Sequence, residues 1–221
     1  MRSPQGIQTA GNQVEKAVSI LLQGGLVAFP TDTLYALGAH AFIDAAVQRV
    51  YEVKGRPIDM ALPLLLANTF DMEKVAVNIS QAAWDMAERF WPGALTMLLH
   101  KGPSVSSVVT AGKETVAVRV PNHHLALKLI EATGTPLTGT SANSFGGSDP
   151  ITAPQVRRQL GEGVSMILDD GICPLEGAST IVDMTSDTPR IVRSGAIPAS
   201  LLTQMCPGIE ESGSRNATRK S

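Results

Sequence analysis

Lys54 and Arg56 stand two residues apart in the segment KGRP, just after a predicted helix. In an extended segment, side chains two residues apart point to the same face. An ammonium group and a guanidinium group on one face suit a polyphosphate or a carbonate-like anion, because the guanidinium holds two oxygens at once and the ammonium acts as a point charge. A solvated basic turn has the same composition, so the pair alone leaves both interpretations open.

The loop TSANSFGG at residues 140–147 offers a second group of anion ligands. Gly139 precedes it, and Ser141 and Asn143 carry its hydroxyl and amide groups. Small residues let backbone amides approach an anion while the side chains hydrogen-bond to it. An ordinary turn is equally consistent with these residue types. The sequence contains neither a P-loop nor a dinucleotide-binding glycine motif, so any nucleotide must be held in a different way.

Arg119 and Arg193 each end a predicted strand that is otherwise apolar, VAVR and RIVR. A buried arginine requires a counter-charge, so its place at a strand end predicts the rim of a cleft. A surface ion pair is the alternative for each arginine taken alone. Convergence of both with Lys54 and Arg56 would indicate a single anion-binding site.

A polar cluster follows the apolar run at residues 26–29 in the stretch GGLVAFPTDTLYALG. Pro30 ends the predicted strand, and the polar residues beyond it are Thr31, Asp32, Thr33 and Tyr35. A buried strand has no structural need for so many polar groups, and open α/β sheets commonly bind ligands at the carboxyl ends of strands. The sequence therefore predicts a ligand site here.

Hydrophobic periodicity and turn residues divide the chain into alternating helices and strands. Helices are predicted at residues 14–22, 44–54, 80–90 and 125–132, and from Thr152 onward. Strands are predicted at residues 26–29, 62–66, 95–99, 115–119, 164–168, 179–182 and 190–193, and residues 136–138 lead into the TSANSFGG loop. The interleaving predicts one α/β domain at residues 8–206, with a mixed, twisted sheet flanked by helices, and a polar, disordered tail at residues 207–221.

Composition limits the classes of partner. The chain has 221 residues and a formal net charge of −2, which argues against a broad nucleic-acid-binding surface. Cys173 and Cys206 lack metal-ligand spacing and favour a reducing cytoplasm. The first residues lack the apolar core of a secretory leader, and no run approaches the roughly 20 apolar residues that span a bilayer. We therefore expect no membrane association.

Two aromatic motifs receive structural interpretations. His123 and His124 are adjacent, and no third ligand has suitable spacing in the sequence, so no metal site is expected. Trp91 precedes Pro92-Gly93 and is expected to pack beneath a helix-to-strand turn rather than to contact a ligand.

Six motifs follow one another along the chain: the PTDT stretch, KGRP, FWPGALT, VAVRVP, TSANSFGG and ASTIVD. Together they resemble the YrdC-type threonylcarbamoyl-AMP synthases of the Sua/YciO/YrdC family, in the short single-domain form, over about residues 14–199. The resemblance implies a YrdC-like fold in which a twisted sheet encloses a large electropositive cleft.

The resemblance also implies an enzyme, a nucleotidyltransferase of the L-threonylcarbamoyladenylate synthase type. Such an enzyme makes threonylcarbamoyl-AMP and pyrophosphate from L-threonine, bicarbonate and ATP, with magnesium as the expected ion. Downstream transferase proteins would then use the product for the threonylcarbamoyladenosine modification of tRNA.

Site residues follow from the same resemblance. Lys54 and Arg56 would be the catalytic residues. The ATP-binding set would be Lys54, Arg56, Thr115, Ser141, Asn143 and Arg193. The threonine-binding set would be Thr33, Arg119, Gly139 and Ser179. The chain departs from the family pattern at Met60-Ala61, where relatives often have Asn-Pro, and at Leu65, where some have histidine.

Two other functions compete with this one. The first is a module that binds double-stranded RNA or tRNA without chemistry, and the acidity of the chain and its 4% aromatic content count against it. The second is a relative that forms carbamoyl adenylate, which normally carries additional acylphosphatase and zinc-finger modules. Weak tRNA binding in the cleft is compatible with the synthase as well.

Overall fold

The computed structural model describes residues 5–174 and 177–211. Its α-helices are α1 (Gln5–Leu22), α2 (Asp44–Lys54), α3 (Gln81–Phe90), α4 (Ser107–Thr110), α5 (His124–Thr133), α6 (Ala153–Leu160) and α7 (Ala199–Met205). Its strands are β1 (Val27–Phe29), β2 (Ala36–Gly38), β3 (Leu64–Leu65), β4 (Ala76–Val77), β5 (Leu95–Lys101), β6 (Thr115–Arg119), β7 (Leu137–Thr138), β8 (Thr140–Ser141), β9 (Met166–Ile167), β10 (Thr180–Asp183), β11 (Arg190–Arg193) and β12 (Glu210–Glu211).

Local sequence signals fix several helix ends. Ser80 caps α3, because its side chain accepts a hydrogen bond from the backbone N–H of Ala83 at 3.3 Å. Thr152 and Gln155 form a capping box at the start of α6. Gly55 ends α2 in the left-handed conformation, with φ of +61°, and its N–H satisfies carbonyl groups of the last turn. These caps agree with the predicted helix boundaries.

The larger sheet has the strand order β12-β11-β10-β5-β6-β3-β7, and β4 pairs with β5. β5 runs antiparallel to β6 and parallel to β10, and β3 runs parallel to β6. The sheet is therefore mixed, and the predicted α/β class is confirmed. Arg119 at the end of β6 and Arg193 at the end of β11 lie in one region of the molecule.

A smaller sheet, which the sequence did not predict as separate, has the order β8-β2-β1-β9. β1 and β2 form an antiparallel pair joined by the turn that contains Thr31 and Asp32. The chain crosses from β7 in the larger sheet to β8 in the smaller one at Gly139. A Cβ atom at that position would lie 2.3 Å from Cγ of Leu65, so only glycine fits at this crossing.

The core has two parts, one on each side of β1. Ala28 packs into the larger cluster, which includes Val47 of α2 and Met97 of β5. The neighbouring β1 residues, Val27 and Phe29, face the second cluster together with buried residues of α1 and α5. This alternation is the two-residue period of a strand. It buries both faces of β1 and fixes the turn that follows it.

Some elements differ from the sequence predictions. Ala36–Gly38 and Thr140–Ser141 are short strands inside stretches interpreted as polar loops, and α7 was not predicted. Glu210–Glu211 pair in parallel with β11, so the sheet extends beyond residue 206 into the expected tail. Residues 212–221 of that tail lie outside the described residues. Among the described helices, none combines the length and apolar character required to cross a membrane.

Candidate active site

A cavity of about 440 Å³ lies where the two sheets meet. Its wall includes the β1–β2 turn and β8 of the smaller sheet, and residues of β3, β5, β6, β10 and β11 of the larger one. The expected site residues that line it are Thr33, Arg56, Arg119, Gly139, Ser141, Ser179 and Arg193. Its volume is typical of small-ligand pockets. The fold therefore brings residues from distant parts of the sequence into one cleft.

The charged side chains of the cleft wall are mostly cationic. The cations are Arg56, Lys113, Arg119 and Arg193, and the carboxylates are Asp59 and Asp149. A concave site lined by an excess of one charge raises the local concentration of ligands of the opposite charge. The lining therefore favours an anionic ligand.

Arg119 is the most enclosed of these charged groups, with 6% of its surface exposed. Its Nη2 pairs with Oδ1 of Asp32 at 2.5 Å, its Nη1 donates to Oγ1 of Thr33 at 2.8 Å, and its Nε donates to the carbonyl oxygen of Gly93 at 2.8 Å. Burial lowers the pKa of Arg119, and Asp32 opposes that shift. Nη1 and Nη2 each carry two N–H groups. The fixed guanidinium can therefore still hold a carboxylate.

The β1–β2 turn is organised by Thr31. The Thr31 hydroxyl donates to the carbonyl oxygen of Leu34 at 2.7 Å and accepts from the backbone N–H of Thr33 at 3.1 Å. Oδ1 of Asp32 also accepts from the backbone N–H of Asn122 at 3.0 Å. Local hydroxyl-to-backbone bonds of this kind are common in turns. Thr31 thus stabilises the turn through its hydroxyl, and both Thr31 and Thr33 line the cleft.

Ser179 joins Arg193 to Thr96 in the wall of the cleft. Nη2 of Arg193 donates to the carbonyl oxygen of Ser179 at 2.7 Å and lies 3.3 Å from its hydroxyl oxygen. That hydroxyl is 2.8 Å from Oγ1 of Thr96. Burial lowers the pKa of Arg193, and Asp149 opposes that shift. Ser179 and Arg193, which were expected in separate threonine and ATP sites, are therefore in direct contact.

Lys54 does not line the cleft among the residues that the structure describes. It is 3% exposed, and its Nζ donates to the carbonyl oxygens of Ser141 at 2.5 Å and Asn143 at 2.6 Å and to Oδ1 of Asn143 at 3.0 Å. An ammonium group has three donors, and these contacts occupy all of them. Burial, and then the nearby Arg56, lowers the pKa of Lys54 to about 8. The expected contact between Lys54 and phosphate is replaced here by a contact with the loop.

Arg56 reaches the cleft from the exposed side of the α2 end. Its Nε donates to the carbonyl oxygen of Met60 at 3.1 Å, and its Nη2 donates to that of Ala61 at 3.0 Å. Burial lowers the pKa of Arg56. Met60, Ala61 and Leu65, the positions that depart from the family pattern, all line the cleft. Because Met60 and Ala61 hold Arg56 through backbone oxygens, their side-chain types do not affect that contact.

Two other expected ligands lie outside the wall of the cleft as far as it is formed by the described residues. Asn143 is buried, and its side chain bonds to Lys54, to the hydroxyl of Ser141 and to the carbonyl oxygen of Gly147. Thr115 is half-buried at the start of β6. Gly139 lines the cleft, but its N–H donates to the carbonyl oxygen of Pro63. Its amide is therefore already paired.

Two charged residues of the cleft wall were missed from the sequence, and the role of a third was not assigned. Asp32 was predicted within the polar cluster, but its pairing with Arg119 was not, because the two residues are distant in sequence. Lys113 and Asp149 line the cleft. Lys113 lies in a segment without any motif, so nothing in the sequence distinguishes it from a surface lysine. Asp149 follows the TSANSFGG loop closely, and this proximity was the available signal.

The structure brings a third residue to the adjacent histidines. Oδ2 of Asp170 lies 3.8 Å from Nε2 of His123 and 3.4 Å from Nε2 of His124. Sequence spacing indicated no third ligand, because it does not show which loops meet in space. Burial, and then His124, lowers the pKa of His123 and so favours its neutral ring.

Trp91 packs into the core rather than lining the cleft in the described part of the chain. It is 7% exposed, and its indole Nε1 donates to the carbonyl oxygen of Leu95 at 2.7 Å. A buried indole with its N–H paired is a stable arrangement. This position agrees with the expected packing role.

The fold and the cleft define an α/β protein whose cleft wall carries four cationic and two carboxylate side chains. The chain belongs to the Sua5/YciO/YrdC family: the model of that family, described as "Telomere recombination", matches residues 19–195. This finding confirms the resemblance drawn from the six motifs.

Comparison with individual relatives also supports membership of this family. The chain is 40% identical over 186 residues to the threonylcarbamoyl-AMP synthase of Pyrococcus abyssi, covering 84% of this chain and 55% of that protein. It is 35% identical over 192 residues to the putative threonylcarbamoyl-AMP synthase of Mycobacterium tuberculosis, covering 87% of this chain and 88% of that protein. The chain thus spans about half the length of the Pyrococcus relative.

A solved relative shares the architecture closely. The crystal structure of P. abyssi Sua5 complexed with L-threonine superposes with a TM-score of 0.88 at 36% identity, covering 94% of this chain and 62% of that one. The fold described above is therefore the fold of this family.

Proposed function

We propose that this chain is an L-threonylcarbamoyladenylate synthase. It would make threonylcarbamoyl-AMP and pyrophosphate from L-threonine, bicarbonate and ATP, as a nucleotidyltransferase in the threonylcarbamoyladenosine modification of tRNA. One observation carries the proposal: Arg119 is fixed by Asp32 and Thr33 at the wall of a cationic cleft while Nη1 and Nη2 each retain a second N–H group. The names of the Pyrococcus and Mycobacterium relatives support it.

The threonine end of the cleft is assigned to Arg119. Its two remaining N–H groups match the two oxygens of an amino-acid carboxylate, and a guanidinium makes such paired bonds well. Thr33 and Ser179 supply hydroxyl groups that line the same cleft. These hydroxyls are the proposed partners of the threonine side chain, with Gly139 at the edge of the site.

The ATP end is assigned to the remaining cations. Arg56, Arg193 and Lys113 line the cleft together with the hydroxyl-bearing Ser141. Cations placed around a transferring phosphate stabilise the charge that moves to the leaving pyrophosphate. Lys54 and Asn143 would act on ATP through the loop that carries Ser141. Thr115 is proposed to contact ATP at the edge of this site.

The chemistry requires assembly of the reactants more than a protein nucleophile. The threonine amine attacks bicarbonate, giving a carbamate and water, and a carbamate oxygen then attacks the α-phosphorus of ATP while pyrophosphate leaves. Holding the reactants in one orientation supplies much of the rate acceleration. Repulsion between the anionic reactants is offset by the fixed guanidinium groups of the cleft.

Magnesium would enter with ATP, because it prefers phosphate and carboxylate oxygens. Asp59 and Asp149 are the carboxylates of the cleft wall, and their hard oxygen atoms fit this ion. When bound, the ion would neutralise phosphate charge. The residues that orient ATP are the arginines named above.

The cellular setting follows from the proposed reaction. The product would pass to a downstream tRNA threonylcarbamoyl transferase, and the cleft would make at most a weak contact with tRNA. We place the enzyme in the cytoplasm, in keeping with the free thiols Cys173 and Cys206. The catalytic domain is proposed to span residues 8–206, with Glu210–Glu211 added to its sheet edge.

The direct test is product formation. Purified protein is incubated with L-threonine, bicarbonate, magnesium and ATP labelled at the α-phosphate, and the mixture is resolved for labelled threonylcarbamoyl-AMP. We expect the product only when threonine and bicarbonate are both present, and none from Arg119→Met. Release of pyrophosphate without threonine, or no labelled adduct from well-folded protein, would overturn the proposal.

A further inference from the structure

His123, His124 and Asp170 form a cluster apart from the residues that line the cleft. His123 precedes α5, His124 is its first residue, and Asp170 lies in the turn after β9. One potential ligand atom from each residue lies within 4.8 Å of the others. The three groups come from two segments that meet only in the folded protein. The fold therefore creates a ligand set that the sequence does not show.

The separations between these atoms suit a metal ion. Zinc bonds to imidazole nitrogen and carboxylate oxygen at about 2.0–2.2 Å, so tetrahedral geometry places neighbouring ligand atoms roughly 3.4 Å apart. The Asp170 oxygen is 3.4 Å from Nε2 of His124 and 3.8 Å from Nε2 of His123. A shift of a few tenths of an ångström would bring the latter distance into the range.

The state of His123 gives a second, independent observation. Its Nδ1 is buried without a hydrogen-bond partner among the described residues, and so is Oδ2 of Asp32. A histidine that binds metal through Nε2 carries its hydrogen on Nδ1. Nδ1 of His123 can carry that hydrogen, which leaves Nε2 as the ligand atom that faces Asp170.

The outer side of the cluster is open to water. The His124 side chain is 81% exposed and that of Asp170 is 41% exposed, while that of His123 is 14% exposed. The two imidazole rings stack with centroids 5.2 Å apart and 17° between their planes. The exposed His124 ring is free to rotate and direct its lone pair at an ion, and water can complete the coordination.

We propose that His123, His124 and Asp170 bind one divalent transition-metal ion of the zinc type. Two imidazole nitrogens and one carboxylate oxygen suit zinc, cobalt or nickel better than magnesium or calcium, which prefer oxygen ligands. The ion would tie the start of α5 to the loop after β9. This site does not depend on the proposed synthase activity, because its residues do not line the cleft.

The test is direct metal binding by the whole chain, without nucleotide, because ATP itself binds zinc. Isothermal titration with zinc chloride is compared for the wild type, His124→Ala and the double variant His124→Ala/Asp170→Asn. Both positions are exposed, so these variants should fold normally. We expect one ion per wild-type chain and no saturable binding by the double variant. His124→Ala should lose more than about 100-fold in affinity, because it removes a direct ligand and loss of an outer-shell partner alone costs about 10- to 100-fold.

His40→Ala is the matched control, because His40 is a partly exposed histidine outside the cluster. It should keep wild-type zinc affinity. Two further readouts are independent of catalysis: zinc should raise the melting temperature of the wild type but not of the double variant, and cobalt should give a visible spectrum of low-coordinate geometry. The proposal is overturned if wild-type protein shows no saturable binding, or if the double variant binds as the wild type does.

Discussion

Lys54 and Asn143 are joined by two hydrogen bonds, because the Lys54 ammonium donates to the backbone oxygen of Asn143 at 2.6 Å and to its side-chain oxygen at 3.0 Å. The same Oδ1 also accepts from the hydroxyl of Ser141 at 2.7 Å. The lysine therefore holds the loop that places Ser141 in the cleft. Its effect on any ligand would pass through this loop.

Replacement of Lys54 by methionine should reduce stability and ATP affinity together. Methionine retains an unbranched side chain but removes the ammonium that donates to the backbone oxygens of Ser141 and Asn143 and to Oδ1 of Asn143. We expect a loss of about 2–4 kcal/mol in the free energy of unfolding. Denaturant unfolding and ATP titration would measure both effects.

Lys113→Met is the control for that experiment, because Lys113 is an exposed lysine that lines the cleft. It should weaken ATP binding while changing stability by no more than about 0.5 kcal/mol. If Lys54→Met instead had wild-type stability and only lost ATP affinity, Lys54 would contact the nucleotide directly.

Asp32→Asn should destabilise the protein and abolish threonine binding. The change retains the shape of the side chain but leaves the buried Arg119 guanidinium without its counter-charge, at a cost of about 3–5 kcal/mol.

Arg119→Lys should also lose threonine binding, since an ammonium group cannot reproduce the guanidinium contacts with Thr33 and Gly93. Thermal unfolding and threonine titration measure both variants. Asp187→Asn, at an exposed carboxylate, should behave as wild type; equal stability of Asp32→Asn would contradict the role of the ion pair.

Serine and valine should replace threonine as substrates to different extents. Serine lacks only the γ-methyl group, and a missing methyl is worth about 1–3 kcal/mol, so serine should be a poor substrate. Valine cannot make the hydrogen bond that the threonine hydroxyl is proposed to make with Thr33 or Ser179, and should be rejected more strongly. Pyrophosphate release would be measured with each amino acid, with bicarbonate present and then withheld. Equal rates for the three amino acids, or full activity without bicarbonate, would exclude the carbamate mechanism.

Trp91→Ala should act through stability. Loss of this buried aromatic leaves a cavity and should cost about 3–5 kcal/mol, whereas Trp91→Phe should lose mainly the hydrogen bond to Leu95, about 1 kcal/mol. Trp84→Ala is the comparison, because Trp84 is only partly buried and should cost less. Urea unfolding distinguishes the three variants. A Trp91→Ala protein with wild-type stability and no ATP binding would contradict the packing assignment.

Elements with strong local signals were predictable from the sequence. The bounds of β6 and β11 match the predicted strands, and α2 begins at Asp44 and ends before Gly55 as expected. The two-residue strands β2 and β8 were not predictable, because their stability comes from pairing with each other rather than from periodicity. The division into two sheets depends on the crossing at Gly139, which is a tertiary packing constraint.

The sequence predicted which cationic residues belong to the site, but it predicted the directions of their side chains less well. Arg56, Arg119 and Arg193 were all expected near anions, and each lines the cleft. The direction of Lys54 could not be inferred, because alternation in an extended segment places it beside Arg56, whereas Lys54 still belongs to α2. The pairing of Arg119 with Asp32 joins two segments that only the folded chain brings together.

The interval between Lys54 and Arg56 has a consequence for insertions and deletions. Gly55 turns the chain with φ of +61°, so that one cation faces the loop and the next faces the cleft. A Cβ at Gly55 would meet no atom within 4 Å, and exposed loops generally accept added residues. Here, however, one residue more or fewer would rotate Arg56 away from the cleft. The number of residues between Lys54 and Arg56 is therefore restricted here, whereas the space around residue 55 is not limiting.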